Sequence, residues 1–233
     1  MTDERLIRTA ALLGDTALAR LADAHVLLLG LGGVGGHAFD ALLRSGVGHL
    51  TVADFDTVSP SNMNRQLLAT SETVGLKKTE AARRHAARIS DGVRLFTVEE
   101  KLTPESIVAL LDCARFNIVL DAIDDVPVKV ALAVAAKERA LPLISCLGMG
   151  NRLDPTAITV TDIAKTDTCP LAKALRIKLR KYGVDHLPVV FSREPARKSC
   201  DPDVRVASYA CVPAAAGLAL AAAALGTLVE PRA

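Results

Sequence analysis

The most constraining feature of this chain is a glycine-rich turn between an apolar run and a helical pattern near the N-terminus. The run AHVLLLG (24–30) leads into the turn GLGGVG (30–35), and a second β-rich run, HLTVAD (49–54), follows the helical segment. The glycines of the turn are Gly30, Gly32, Gly33 and Gly35. Glycines permit a tight strand-to-helix turn and let a phosphate approach the backbone N–H groups of a helix N-terminus. The turn therefore predicts a bound nucleotide, without choosing between NAD and ATP.

Short β-rich runs and helical patterns alternate through the first 150 residues. Further β-rich runs are VRLFTV (93–98), FNIVLDA (116–122) and LPLISC (141–146), and helical composition covers 78–89 and 127–140. Repeated βα units with right-handed crossovers predict an α/β fold with a doubly wound, Rossmann-like, mostly parallel sheet.

The pattern changes after residue 150. AITVTDIAKT (157–166) and LPVVFS (187–192) are β-rich, and the basic segment CPLAKALRIKLRKYG (169–183) has helical spacing. We expect an antiparallel elaboration at one edge of the sheet. The whole chain of 233 residues is predicted to be a single domain, with a nucleotide-binding core at 1–150 and a substrate-side elaboration at 151–233.

Composition limits the class of protein. Half of the residues are hydrophobic, and 28 Lys and Arg against 26 Asp and Glu leave a net charge of +2, so bulk charge favours neither a nucleic-acid coat nor a membrane-surface binder. The N-terminal MTDERLIRTA lacks the basic and apolar regions of a secretory signal, which predicts a cytoplasmic protein.

The five cysteines are an odd number without a Cys-x-x-Cys pair, which disfavours a disulfide scaffold and a four-cysteine zinc site. We expect reduced thiols, with Cys146 and Cys211 buried and with Cys169 and Cys200 in loops, where they could be exposed. No cysteine is assigned a catalytic role.

The C-terminal segment CVPAAAGLALAAAALGTLV (211–229) carries no charge and approaches the length of a membrane-spanning helix. Alanine dominates the segment and inserts weakly into membranes. We therefore predict an apolar C-terminal helix that is buried or contacts another subunit, in preference to a membrane span.

Acids follow the second strand. Asp54 ends this strand, where a carboxylate can accept hydrogen bonds from a ribose hydroxyl, and Asp56 lies two residues further on. Both NAD and ATP carry that ribose. The alternative is that the two acids only form the turn after the strand.

Polar and basic side chains come next along the chain. The candidates for nucleotide binding here are Asn62, Arg65, Gln66 and Lys78. Hydride transfer needs an apolar nicotinamide pocket and a single acid or base, whereas an arginine and a lysine beside phosphates suit the charge that develops on a phosphate under attack. The pattern favours ATP over NAD; surface basic residues at a helix start are the alternative.

Three acids follow the fourth predicted strand. Asp121, Asp124 and Asp125 lie at the carboxyl edge of the sheet, where a carboxylate can hold Mg²⁺. Asp125 precedes Pro127 at a predicted helix start and is a natural N-cap. We therefore assign Asp124 to the metal.

Together, the glycine turn and the segments DFDTV, NMNRQ, GLKKTE and DAID resemble, in order and spacing, the ThiF-like superfamily of ATP-dependent adenylating enzymes related to ubiquitin activators. The segments RTAALLGDTAL, CLGMGNRLDPTAITVTDIAKT and CPLAKALRIKLRKYGV are similar to its tRNA threonylcarbamoyladenosine dehydratase branch, TcdA. The resemblance covers about residues 5–229.

The resemblance implies an enzyme that uses ATP to adenylate the carboxylate of threonylcarbamoyladenosine in tRNA, after which an internal oxygen displaces AMP and closes a ring. It implies that Asp54 holds the ribose, that Asn62, Arg65 and Lys78 hold the phosphates, and that Asp124 holds Mg²⁺. It further implies a homodimer in which Arg8 reaches the partner's site as an arginine finger.

Alternatives remain open. Adenylation of a ubiquitin-like sulfur-carrier protein is disfavoured because the paired Cys-x-x-Cys motifs of many such enzymes are missing; a NAD-dependent oxidoreductase and a nucleotide-dependent scaffold are further alternatives. The expected partners are modified tRNA and a second subunit, with a sulfur-transfer protein as a further candidate and no DNA. Between Lys165 and Lys198, nine Lys and Arg face three acids, an excess that suits phosphate contacts and that a solvated helix face would also explain.

Overall fold

A seven-stranded sheet forms the centre of the structure, a computed structural model that describes residues 3–230. The strands are β1 (His25–Leu29), β2 (His49–Ala53), β3 (Arg94–Val98), β4 (Ile118–Asp121), β5 (Leu143–Cys146), β6 (Ile158–Asp162) and β7 (Pro188–Ser192). Their order is β3-β2-β1-β4-β5-β7-β6. All neighbours pair in parallel except β6 and β7, which are antiparallel. The predicted doubly wound sheet with an antiparallel edge is confirmed.

Helices cover both faces of this sheet. They are α1 (Ile7–Leu13), α2 (Asp15–Asp23), α3 (Gly35–Arg44), α4 (Lys78–Ala87), α5 (Pro104–Asp112), α6 (Val126–Glu138), α7 (Pro170–Arg180) and α8 (Cys211–Val229). One apolar core joins the sheet to α2, α3, α4 and α8, and the other joins it to α5, α6 and α7. Because β1 and β4 are covered on both faces, their inner residues are apolar without alternation.

Local sequence signals explain where several helices begin. Thr103 and Ser106 form a reciprocal capping box at α5, with Pro104 in the first turn. Asp125 caps α6 by accepting a 3.0 Å hydrogen bond from the backbone N–H of Val128, as its position before Pro127 predicts.

The C-terminal helix α8 packs in the core. Val212, Ala216, Leu220, Ala224 and Leu228 recur at four-residue spacing and form its buried stripe. By length and composition, α8 is apolar enough to cross a membrane, and 44% of its most apolar 18-residue window is buried inside the fold. Its burial supports the prediction of a helix that packs against the domain.

The cysteine predictions are confirmed in part. The structure describes all five as free thiols; Cys146 is buried and Cys200 is exposed, as expected. Cys211 is exposed, contrary to expectation, because it is the first residue of α8 and precedes the buried stripe. Cys169 lies in the loop just before α7, as predicted, but it is buried in the core, so the expectation that it could be exposed is wrong. Burial raises the pKa of the Cys146 thiol to about 12.

Candidate nucleotide-binding site

The glycine turn between β1 and α3 is closely packed. Gly30 has φ +90°, and a Cβ there would lie 2.8 Å from the carbonyl oxygen of Ala122. A Cβ at Gly35 would lie 1.8 Å from the carbonyl oxygen of Gly30. Both positions therefore require glycine. The turn brings the N-terminus of α3 to the carboxyl edge of the sheet, where backbone N–H groups can face a phosphate.

Two neighbouring segments enclose the other glycines of the turn. A Cβ at Gly33 would lie 3.1 Å from the Cβ of Pro213 in α8, and one at Gly32 would lie 3.9 Å from Nε2 of Gln66. The start of α8 and the NMNRQ segment thus flank the turn. The approach of α8 was not predicted, since its apolar sequence carries no signal for this contact.

Asp54, Asp56 and Lys78 lie together beside the turn. Asp54 accepts a 2.7 Å hydrogen bond from the backbone N–H of Leu31 and a 2.9 Å bond from that of Asp56. The Lys78 ammonium lies 2.8 Å from the Asp56 carboxylate and 3.8 Å from that of Asp54. Lys78 and Asp54 are largely buried, whereas Asp56 is half exposed. The site therefore joins the glycine turn, the end of β2 and the start of α4.

The NMNRQ segment follows a short 3₁₀ turn, Pro60–Asn62. Asn62 accepts a 3.1 Å bond from the backbone N–H of Ser59, so its oxygen stabilises this turn. Arg65 donates to the carbonyl oxygen of Ser61 and to the side chain of Asn64, each at 2.8 Å. These contacts hold the Arg65 guanidinium at the surface of the segment that packs on the glycine turn, where its other N–H groups can bind an anion.

The three acids after β4 have different environments. Asp124 is exposed, and Asp125 is occupied as the cap of α6. Asp121 is buried and accepts hydrogen bonds from the ammonium of Lys129 and the hydroxyl of Ser145, so it is unavailable to a metal. Within residues 3–230, no group of three or more His, Cys, Asp or Glu side chains could hold a metal. A single exposed carboxylate fits Mg²⁺ that is bound mainly through substrate phosphates.

The sequence interpretation missed Lys129. Its ammonium is 2.8 Å from Asp121, 3.1 Å from the Ser145 hydroxyl and 2.7 Å from the carbonyl oxygen of Cys146. The side chain ties the carboxyl ends of β4 and β5 to α6. One signal was available: a lysine in the otherwise uncharged run 126–136 faces the core at helical spacing.

Arg8 is not brought to this cluster within the same chain. It is exposed on α1, whose main packing partners are α2 and the 3₁₀ turn Glu4–Leu6. The structure describes no hydrogen bond or ion pair of the Arg8 side chain with residues 3–230.

The segment that connects β7 to α8 is hydrogen-bonded to two other segments near the site. Asn151, with φ +61°, exchanges two 2.7 Å hydrogen bonds with Ala207, and Asn64 donates to the carbonyl oxygen of Ser208 at 2.9 Å. Residues 193–210 are thereby tied to the loop after β5 and to the NMNRQ segment.

The fold and the site define a class of protein. A doubly wound sheet binds its ligand at the carboxyl edge where the strand order reverses, here between β1 and β4. The glycine turn leaves β1 at that point, with cationic side chains beside it. This arrangement defines a nucleotide-binding α/β protein.

The comparison with known families is more specific. The ThiF family model matches residues 4–231. The chain belongs to the ThiF family.

Several similar proteins share one description. The chain is 40% identical over 182 residues to the tRNA threonylcarbamoyladenosine dehydratase of Escherichia coli strain K12, covering 78% of this chain and 68% of that one. It is 37% identical to the Bacillus subtilis strain 168 enzyme of the same name, covering 91% and 89%. The solved E. coli enzyme in complex with ATP superposes with a TM-score of 0.90 at 35% identity, covering 97% of this chain and 93% of that one. The resemblance drawn from the sequence motifs is confirmed.

Proposed function

We propose that this chain is an ATP-dependent tRNA threonylcarbamoyladenosine dehydratase that acts through an acyl-adenylate. The likeness to dehydratases over nearly the whole chain, including a relative solved with ATP, supports this activity. One observation favours adenylation over hydride transfer: two cations, Lys78 and Arg65, lie beside the glycine turn. Such groups match developing phosphate charge, whereas a nicotinamide ring would need an apolar pocket.

Adenylation balances without a protein nucleophile. A carboxylate oxygen of the modified adenosine attacks the α-phosphorus of ATP, and the bond to the bridging oxygen breaks, so that pyrophosphate leaves. The ureido oxygen of the same modification then attacks the acyl carbon, AMP leaves, a nitrogen-bound proton is lost and the ring closes. The net change in the tRNA is loss of the elements of water, so the protein contributes orientation and charge stabilisation.

The site residues have distinct proposed roles. Asp54 holds the glycine turn through its hydrogen bond from the backbone N–H of Leu31, and its remaining lone pairs accept a hydrogen bond from a ribose hydroxyl. Lys78 has three donors, of which Asp56 takes one, so the ammonium can also contact a phosphate oxygen. Arg65 contacts a second phosphate oxygen. Asn62 and Gln66, from the same segment, line the nucleotide site beside it. In the proposed division of the domain, residues 1–150 bind the nucleotide and 151–233 contribute the substrate side.

Asp124 would hold Mg²⁺ together with the phosphates of ATP. It is an exposed carboxylate in the loop that follows β4, and its neighbours Asp121 and Asp125 are committed to Lys129 and to the α6 cap. Mg²⁺, when bound, neutralises charge on the phosphate oxygens.

The active unit is proposed to be a homodimer, with Arg8 completing the partner's site. Helix α1 buries no residue within the described chain and leaves Ile7 and Leu12 exposed, Leu12 at 82%. Exposed apolar side chains on a helix that buries none of its residues favour contact with another surface. Arg8 lies on the same helix, so docking of α1 would carry its guanidinium to the other subunit.

Two further points rest on this proposal. The proposed tRNA substrate supports a cytoplasmic location for the reaction. Cys200 and Cys211 are exposed thiols that a sulfur-transfer partner could reach, but no contact assigns either one such a role.

Sulfur-carrier adenylation receives less support, because the similar molybdopterin-synthase adenylyltransferase of Salmonella typhimurium matches only 64% of this chain and 58% of its own length.

The test is the fate of ATP and tRNA. The purified protein, incubated with ATP, Mg²⁺ and tRNA that carries threonylcarbamoyladenosine, should release AMP and pyrophosphate and yield a cyclic nucleoside that has lost the mass of water. Unmodified tRNA serves as the control. Release of pyrophosphate only with a sulfur-carrier protein would support the alternative, and reduction of NAD without AMP formation would refute adenylation.

A further inference from the structure

We infer that the exposed face of α7 is a docking surface for the tRNA phosphate backbone, outside the nucleotide site; the inference rests on the proposed function. We define this surface, the α7 basic face, by Lys173, Lys178, Arg180 and Lys181. All four are exposed, while Leu175 and Leu179 on the opposite side of the helix are buried in the core. Lys173 lies near the start of α7 and Lys181 directly follows its last residue, about 12 Å further along the helix axis.

The α7 basic face lacks internal charge compensation. Helix α7 contains no acid, and none of the four side chains makes a hydrogen bond or ion pair with any residue of 3–230. Arg176, the remaining cation of α7, is different: it is partly buried and donates to the carbonyl oxygens of Ile163 and Thr166.

Three arginines on the helical layer that covers the other face of the sheet, unlike the cations of the α7 basic face, form ion pairs. Three exposed arginines of α3, α4 and the residue after α4 each pair with an acid. The pairs are Arg44–Asp40 at 2.9 Å, Arg84–Glu80 at 2.8 Å and Arg88–Glu72 at 3.2 Å. Exposed cations on other helices of this chain therefore can pair with nearby acids, whereas the four cations of the α7 basic face do not. Four unpaired cations in nine residues instead fit an external polyanion.

The α7 basic face begins next to the proposed active site. A Cβ at Gly148, just after β5, would lie 3.7 Å from Cδ2 of Leu171 in the first turn of α7. From this carboxyl edge, α7 runs alongside α6 toward the opposite edge, where Lys137 donates to the carbonyl oxygen of Gly183. A tRNA whose modified base enters the site can therefore lay adjoining backbone along the helix.

Exposed side chains beside the cations favour RNA over an acidic protein. Ile177 is exposed on the same face of α7, and Tyr182, in the turn just after the helix, is 61% exposed. An exposed tyrosine ring offers a stacking surface for an unpaired base, and the lysines offer contacts to phosphates that do not depend on sequence. The two nearby exposed acids, Asp167 and Asp185, lie beyond the ends of the helix.

The experiment compares two triple variants with equal loss of charge. The test variant is Lys173→Gln, Lys178→Gln and Lys181→Gln, and the matched control is Arg44→Gln, Arg84→Gln and Arg88→Gln. Binding of modified tRNA is measured by filter retention across a salt series, along with KM and kcat for tRNA and KM for ATP. A third variant, with the same three lysines changed to arginine, tests whether charge alone suffices.

The α7 basic face predicts a specific pattern. The test variant should weaken tRNA binding and raise KM for tRNA about tenfold or more, and should lower the slope of log affinity against log salt by about one unit per lost phosphate contact. Its kcat, KM for ATP and melting temperature should stay unchanged. The control and the arginine variant should bind tRNA like the wild type.

Two outcomes overturn the inference. Equal weakening in the test and control variants would mean that net charge acts without a defined surface, and unchanged tRNA affinity in the test variant would leave α7 to another partner, such as an acidic protein. The proposed function fails separately, if the wild-type protein binds tRNA but does not convert it. The filter measurement still decides the role of α7 in that case.

Discussion

The ammonium of Lys129 lies 2.8 Å from Oδ2 of Asp121, and both side chains are sealed from solvent. Lys129 also contacts Ser145 and the backbone of Cys146, so every N–H of the ammonium has an acceptor. Asp121 in turn accepts from the backbone N–H of Ile123 at 3.2 Å, in the loop that leads to Asp124. The pair therefore fixes the loop that carries the proposed magnesium ligand.

Lys129→Met should destabilise the protein by about 3–5 kcal/mol, because it leaves the Asp121 carboxylate buried without its counter-ion. Lys137→Met, on an exposed turn of the same helix, is the matched control and should change the free energy of unfolding by less than about 1 kcal/mol. Urea denaturation measures both. Similar free energies of unfolding for the two variants would mean that the buried pair contributes little.

The sheet could be predicted from sequence because its strands carry strong local signals. Each of the seven β-rich runs became a strand, from AHVLLLG to LPVVFS, since apolar β-branched and leucine-rich runs between helices have few alternatives in a doubly wound fold. The clustering of Asp54, Asp56 and Lys78 was also predictable, because the carboxyl ends of parallel strands meet at one edge.

Contacts between distant segments could not be predicted in this way. The packing of Pro213 on Gly33 and the Asn151–Ala207 bonds join residues 180 and 56 positions apart, and no periodicity encodes such pairs. Lys129 was missed for a related reason: a lysine on an apolar helix looks like an exception until its acceptors on other elements are known.

The glycine turn tests how much of the site depends on backbone geometry. Gly30→Ala combines a positive φ with a Cβ 2.8 Å from the carbonyl oxygen of Ala122. Gly75→Ala is the matched control, because Gly75 has φ +87° and no atom within 4 Å of its Cβ position. Backbone strain alone should lower the free energy of unfolding by about 1–3 kcal/mol at either site. At Gly30, the clash with Ala122 should lower it by about a further 1–3 kcal/mol. Equal costs in thermal or urea unfolding would contradict the close approach to Ala122.

The cysteines provide a test of the burial pattern. Cys113, Cys200 and Cys211 should react rapidly with a thiol reagent in the native protein, while Cys146 and Cys169 should react only on unfolding. At pH 8, a Cys146 pKa of about 12 leaves roughly one part in 10⁴ as the reactive thiolate. Peptide mass spectrometry after native and denatured labelling identifies each labelled cysteine. Fast native labelling of Cys146 would show that the carboxyl end of β5 opens to solvent.

The cations of the site should affect catalysis more than folding. Arg65→Ala and Lys78→Ala should each lower turnover with modified tRNA by ~10²-fold or more, the scale of losing one preorganised group that stabilises transition-state charge. Lys77→Ala is the control, since Lys77 precedes Lys78, is exposed and donates to the carbonyl oxygen of Phe55. Circular dichroism should show all three variants folded. If the site variants turn over like Lys77→Ala, their cations do not act on the phosphates.

The shared-site dimer makes the last prediction. Arg8 lies on α1, which has no buried residue, and within residues 3–230 its side chain makes no hydrogen bond or ion pair. Asp124 is exposed in the loop between β4 and α6. Arg8→Ala and Asp124→Ala should each inactivate a homodimer, since every site then lacks one of the two side chains. Once the two variants are mixed and subunits exchange, each heterodimer contains one site with both residues native.

If Arg8 acts across the interface, random exchange of equal amounts makes about half of the dimers mixed, with one intact site each, and restores about a quarter of wild-type activity. If Arg8 acts within its own chain, each heterodimer site carries one defect and no activity returns. Native mass spectrometry with one variant tagged verifies the exchange, and a mixture of tagged and untagged Asp124→Ala serves as the control, since it exchanges without forming an intact site. Full exchange without recovered activity, or a protein that stays monomeric at assay concentrations, would exclude the shared site and leave the exposed apolar side chains of α1 for some other contact.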